Sequence, residues 1–137
     1  MTLPFILLVG GIIVEIAIAG SFVAYFLSTS GYGERLSIRA TAAANSGIRD
    51  AMVRVAQNKE FTEQACGDPY AYSFPVGEDS VAVDVCRTSD FGDSKYTYTV
   101  ESLGYAGSRQ KKLVARILVD KITGHTQLES VSEEAIE

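Results

Sequence analysis

The sequence predicts an α+β protein, with a long N-terminal α-helix packed on a small antiparallel β-sheet head. Three observations predict it. Of the first 27 residues, 20 are apolar and Glu15 is the only charged one. Residues 34–58 then carry apolar side chains at helical spacing. From Phe61 onward the pattern changes to strand-like alternation. A chain of 137 residues, 47% apolar and 21% charged, fits one domain of ordinary size and excludes a disordered tail, a collagen-like repeat and a cysteine-dense miniprotein. The expected organisation is a hydrophobic membrane-spanning helix over 1–27, an amphipathic continuation over 28–58 and an antiparallel sheet over 59–137.

The first element runs from Leu3 to Leu27. At about 1.5 Å per residue it is long enough for the roughly 30 Å hydrocarbon core of a bilayer. No Lys or Arg precedes it, and it exceeds the apolar stretch of a secretory signal, so it is expected to stay attached as an anchor or packing stem. Pro4 falls in the first turn, where it removes no helical hydrogen bond. Glu15 is the informative residue. A carboxylate at mid-span costs at least a few kcal/mol against lipid, so it is expected to face a partner. That partner is either another copy of the helix or, for a protonated side chain, a backbone carbonyl.

Ser28-Thr29-Ser30-Gly31-Tyr32-Gly33 is a polar, glycine-rich interruption that either ends the helix or loosens it for a turn. Beyond it, Leu36, Ala40, Ala44, Ile48, Met52 and Val55 form one apolar stripe. Its middle is small, with Ala40, Ala42, Ala43, Ala44 and Gly47, which permits close approach of a sheet or a second helix. Candidate strands follow at 70–74, 80–87, 95–103, 112–122 and 126–131. The turns between them are expected at Gly77-Glu78-Asp79, Gly104–Ser108 and Thr123-Gly124-His125. Short connections favour an antiparallel meander, with Val81, Val83 and Val85 on the inner face and Asp84 on the outer. The acidic tail from Ser132 to Glu137 is expected to be mobile.

Cys66 and Cys86 are the only cysteines, and their spacing suits either one bridge or two reduced structural thiols. Two Cys and a lone His do not make a closed zinc site, so no metal and no cofactor are expected. His125 reads as a solvated turn residue. No triad, phosphate loop or dinucleotide fingerprint is present, Asp90-Phe91-Gly92 lacks every other kinase element, and Asp90 and Asp93 supply too few oxygens for calcium. An enzyme is therefore not expected. Net charge is −5 overall: −1 over 1–27 from Glu15, +2 over 28–58 from Arg35, Arg39, Arg49 and Arg54 against Glu34 and Asp50, and −6 over 59–137. The acidic head argues against a nucleic-acid partner. Arg35 and Arg39, following the span closely, favour a cytoplasmic C-terminal part by the positive-inside rule, whereas the cysteine pair favours the opposite side.

The run Gly10-Gly11-Ile12-Ile13-Val14-Glu15-Ile16-Ala17-Ile18-Ala19-Gly20 resembles the N-terminus of type IV pilins and pseudopilins. In that family a glycine precedes the cleavage site and a glutamate stands five residues into the mature helix. Gly10 and Glu15 match those positions, whereas Gly11 stands where the family usually has Phe, and the leader is apolar rather than basic. The resemblance covers about the first 55 residues in motif and only the general plan thereafter. It implies self-association into a helical filament, with Glu15, Gly10 and Gly11 in subunit assembly and Glu15 neutralising a neighbour's N-terminal amine. Ala40, Ala44, Ile48 and Met52 are expected to pack the helix. It further implies residence in a prokaryotic cytoplasmic membrane with an extracytoplasmic head, and a leader peptidase and pilus assembly machinery as partners. Removal and retention of residues 1–10 both stay open. The alternative is a single-pass, non-polymerising envelope protein with a small binding or scaffold head.

Overall fold

The structure, a computed structural model, describes residues 3–88 and 94–136, with side chains from residue 8 onward. The turn carrying Asp90 and Asp93, with the Asp90-Phe91-Gly92 tripeptide, lies outside the described residues. One helix, α1 (Leu3–Gln57), is followed by β1 (Tyr70–Val76), β2 (Asp79–Thr88), β3 (Lys95–Ala106), β4 (Arg109–Asp120) and β5 (Thr126–Glu134). The strands form one antiparallel meander in the order β1-β2-β3-β4-β5. The expected α+β architecture is present. Two compact units divide the chain between Arg35 and Leu36, so the segment 28–58 is shared between them.

Helix α1 runs through the polar stretch at 28–33 without a break. Thr29 donates its hydroxyl to the carbonyls of Tyr25 and Phe26, and Ser30 donates to Leu27. These side chains are satisfied by the helix itself, so they do not compete with its backbone ladder. The helix ends at Gln57, where Asn58 donates its backbone N–H to Arg54 and accepts from Glu60 through its side chain.

In the second unit the helix from Leu36 packs on the inner face of the sheet. Leu36, Ala40, Ala43, Ala44, Gly47, Ile48, Ala51 and Val55 are buried, while Met52 is half-buried against the core and Ala42 is exposed. Val81, Val83 and Val85, Tyr98 and Val100, and Leu113, Ala115, Ile117 and Val119 complete the core. The register places Val83, Ser102 and Leu113 in one row and Val85, Val100 and Ala115 in the next. Alternation of period two therefore delivers one apolar face from each central strand.

Helix and sheet touch where side chains vanish. A Cβ at Gly47 would run into the Ser102 hydroxyl and lie 2.8 Å from Val81 and Val83. One at Gly104 would strike the Ala40 carbonyl and lie 2.6 Å from the Ala44 amide nitrogen. The buried Ser102 hydroxyl donates to the Ala44 carbonyl at 2.8 Å and ties the two layers at this point. Toward the helix C-terminus the gap is filled by the buried Tyr98 ring, whose hydroxyl donates to the Lys59 carbonyl at 2.7 Å.

Several boundaries differ from expectation. Gly104 is not in a turn: it is a strand residue kept small by the helix backbone, and the β3–β4 turn is Gly107-Ser108. Asp79 begins β2 rather than closing a turn, leaving Gly77-Glu78 as a two-residue loop with Gly77 at φ 66°. Ile122, expected in β4, lies in the β4–β5 turn and is 84% exposed. The tail is not free up to Glu134, because β5 extends through Ser132, Glu133 and Glu134. Glu133 pairs with Lys111, and Glu134 with Lys112 at 2.9 Å, which holds this part of the tail that was expected to be mobile.

Two predictions follow from this packing. Gly104→Val should destabilise the head by about 3 kcal/mol, because the added atoms meet helix backbone that cannot repack. Gly67→Val, where a Cβ meets nothing within 4 Å, should be near neutral. Denaturant unfolding of the detergent-solubilised chain by near-ultraviolet circular dichroism compares the two. The β4–β5 turn should also respond to acid. The backbone N–H groups of Thr123 and Ile122, donating to the Asp120 carboxylate at 2.8 and 2.9 Å, hold its pKa below the ordinary 3.8. A lowered carboxylate pKa stabilises the fold above the unfolded value, and that contribution is lost as pH falls through the folded value. The amide resonances of Ile122 and Thr123 should therefore shift together only below pH 3.8, and Asp120→Ala should remove the step.

Candidate functional site

The strongest site expectation concerned the apolar end of α1. Among the described residues this is the one helix long and apolar enough to cross a membrane. Its side chains are outward: Ile16 is 66% exposed, Phe26 67% and Leu27 69%. So large an apolar surface has no stable place in water and requires lipid or protein around it. Ser21 bonds to the Ala17 carbonyl at 2.9 Å, and Thr29 and Ser30 are likewise satisfied internally. Glu15 is exposed on this surface with no hydrogen bond or ion pair among the described residues. Gly10 and Gly11 are helical, with open space where a Cβ would be, so a neighbouring helix can approach them closely. Glu15, Gly10 and Gly11 share one short stretch of α1, separate from the residues that pack the head.

Ala40, Ala44 and Ile48 are buried against the sheet, with Met52 at the margin. Their role here is to hold the head on its own helix segment. The opposite side of that segment is exposed at Ile38, Ala42, Asn45, Arg49 and Val53. Arg39 is held by Asp79 through two hydrogen bonds of 2.9 and 3.0 Å and by Glu78 at 3.1 Å. Both carboxylates raise its already high pKa, so it stays cationic.

Cys66 and Cys86 form a disulfide across 20 residues of sequence, which settles the open alternative. The bridge ties the loop after α1 to β2, and Arg87 adds a backbone N–H to the Gln64 carbonyl at 2.9 Å beside it. His125 is exposed in the β4–β5 turn. No group of three metal-ligating side chains occurs among the described residues.

Two features were missed in the sequence. Phe61, Tyr70, Tyr72 and Phe74 form a row of rings with successive centroids 5.2–6.2 Å apart, and the Arg54 guanidinium lies 4.5 Å over Tyr72 while pairing with Asp50 at 2.6 Å. Aromatics at every second residue of β1 were the available signal. The outer sheet face carries a groove of 730 Å³ bordered by Asp84, Glu101, Tyr105, Lys112 and Glu134. Glu101 and Glu134 each lie 2.9 Å from the Lys112 ammonium and raise its pKa.

Comparison with protein-family models, with curated proteins and with solved structures finds no match to this chain.

Reduction of the bridge, or Cys66→Ser with Cys86→Ser, should lower head stability by about 3 kcal/mol, the chain-entropy value for a loop of this length. The shift in denaturant midpoint with and without reductant measures it.

Proposed function

We propose that this chain is a structural subunit of a type IV pilus-like filament or pseudopilus, assembling through its apolar helix with Glu15 contacting a neighbouring subunit. The observation that carries this reading is the pairing of a fully outward apolar helix surface with one mid-span carboxylate that has no partner among the described residues of its own chain. A lipid environment covers the apolar surface but leaves the carboxylate unsatisfied. A bundle of like helices covers both, because a partner group can be supplied from another copy. In this reading the helix lies in the bilayer before assembly and in the filament core afterwards, and the sheet is extracytoplasmic.

Two further observations support the outward head. The disulfide belongs in an oxidising compartment. The resemblance to pilins also implies an outward head, against the bias of Arg35 and Arg39, which rests on two residues only. A non-polymerising anchored protein is the second reading, favoured by the outer groove of 730 Å³ as a binding surface.

Glu15→Ala separates them. Under the filament reading the variant should fractionate with membranes as the unchanged chain does, yet lose its ladder of self-cross-linked oligomers by at least about tenfold. An unchanged ladder in the variant sinks the role given to Glu15, whereas cross-links to other proteins with no ladder of self-oligomers favour the second reading.

A further inference from the structure

If the chain polymerises, Glu15 needs a specific partner group, and the first compact unit contains one. Four arginines lie on α1 beyond the apolar span. Arg39 is engaged by Asp79 and Glu78, and Arg54 by Asp50. Arg35 and Arg49 have no ion pair or hydrogen bond among the described residues, and both are exposed. Arg35 belongs to the same compact unit as Glu15.

Helix geometry fixes how the two are disposed. At about 1.5 Å and about 100° per residue, the 20 positions between them place Arg35 about 30 Å further along the axis and about 200° around it. The acid and the base therefore stand on nearly opposite faces. They cannot meet in one chain, and a side-by-side pair of copies in register does not bring them together either. They meet when a second, parallel copy is displaced by about 30 Å, so that the Glu15 face of one helix lies on the Arg35 face of the other. Such a contact uses two different surfaces, leaves one of each free at the ends and repeats without closing.

Arg35 also borders a receiving surface. Leu27, Ser28, Gly31, Tyr32 and Arg35 line a notch of 370 Å³ on the helix. A Cβ at Gly31 would meet nothing within 4 Å, so the floor of this notch is open to an incoming side chain. The nearest competing acid is Glu34, on the adjacent position and about 100° away around the helix.

We propose that Glu15 of one copy pairs with Arg35 of a second copy seated by this notch, in parallel helices staggered by about 30 Å. The pairing rests on the filament reading and specifies its register. A planar guanidinium takes a carboxylate through two parallel hydrogen bonds, and a pair shielded by apolar helices is screened little by salt. The stretch Ser28–Gly33, which read as an interruption, then serves as the small-residue side of a helix contact.

Charge exchange in the full-length chain tests this. Glu15→Arg and Arg35→Glu alone should each abolish the self-cross-linked ladder in assembled material sheared from the cell surface, and the double variant should restore it to at least half of the unchanged level. Gly11→Cys in one copy and Gly31→Cys in a co-expressed copy should give a disulfide dimer that neither variant forms by itself, since those positions share the 20-residue offset and each stands only about 40° around the helix from Glu15 or Arg35, on the facing sides. Normal assembly of Arg35→Glu, or a double variant that stays unassembled without the cysteine cross-link, overturns the pairing while the filament reading stands. An unchanged chain that gives no ladder contradicts the filament reading itself.

Discussion

A helix backbone can lie directly on a β-sheet only where both surfaces give up their side chains, and the head is organised by that constraint. Gly47 on the helix and Gly104 on β3 are the two points of closest approach, with the Ser102 hydroxyl bonded to the Ala44 carbonyl between them. Larger buried side chains, Val55 on the helix and Tyr98 on β3, fill the core beyond them. The disulfide then fixes the loop that follows the helix, the one long connection that the meander does not control.

The apolar end of the chain follows a different constraint. Its hydroxyl groups at Ser21, Thr29 and Ser30 are satisfied by their own helix, so within the apolar span what is required from outside is chiefly apolar cover and a partner for Glu15. The division between Arg35 and Leu36 separates these two economies, one closed within the head and one open to other molecules. Arg39 and Arg35 illustrate the difference. Four residues apart on one helix, the first is locked to Glu78 and Asp79 and the second has no ion partner among the described residues.

Most of the fold was legible because each element has a single strong period. Val81, Val83 and Val85 alternate, Leu36 to Val55 recurs every three or four residues, and the five strands follow in order with glycine-bearing turns. What was misread shares one cause: the deciding partner lies far away in sequence. Gly104 looks like a turn residue until the Ala40 carbonyl is seen against it. Glu133 and Glu134 look like a mobile tail until Lys111 and Lys112 are placed across the ladder. Ser28–Gly33 looks like a helix stop until the Thr29 and Ser30 hydroxyls are seen bonding back. Glu15 was legible as a lone charge, but its relation to Arg35 required the helix to be continuous between them, because only then does a count of 20 residues become a distance and an angle.

The central claim is that the apolar helix is covered by other copies of itself, with the sheet displayed around them. Electron microscopy of material sheared from the surface of cells producing the chain, labelled with antibody against the sheet, examines it most directly. The account predicts thin filaments, decorated along their length, that contain this chain. Recovery of the chain solely in the membrane fraction, with no labelled filament in the sheared material, would contradict it.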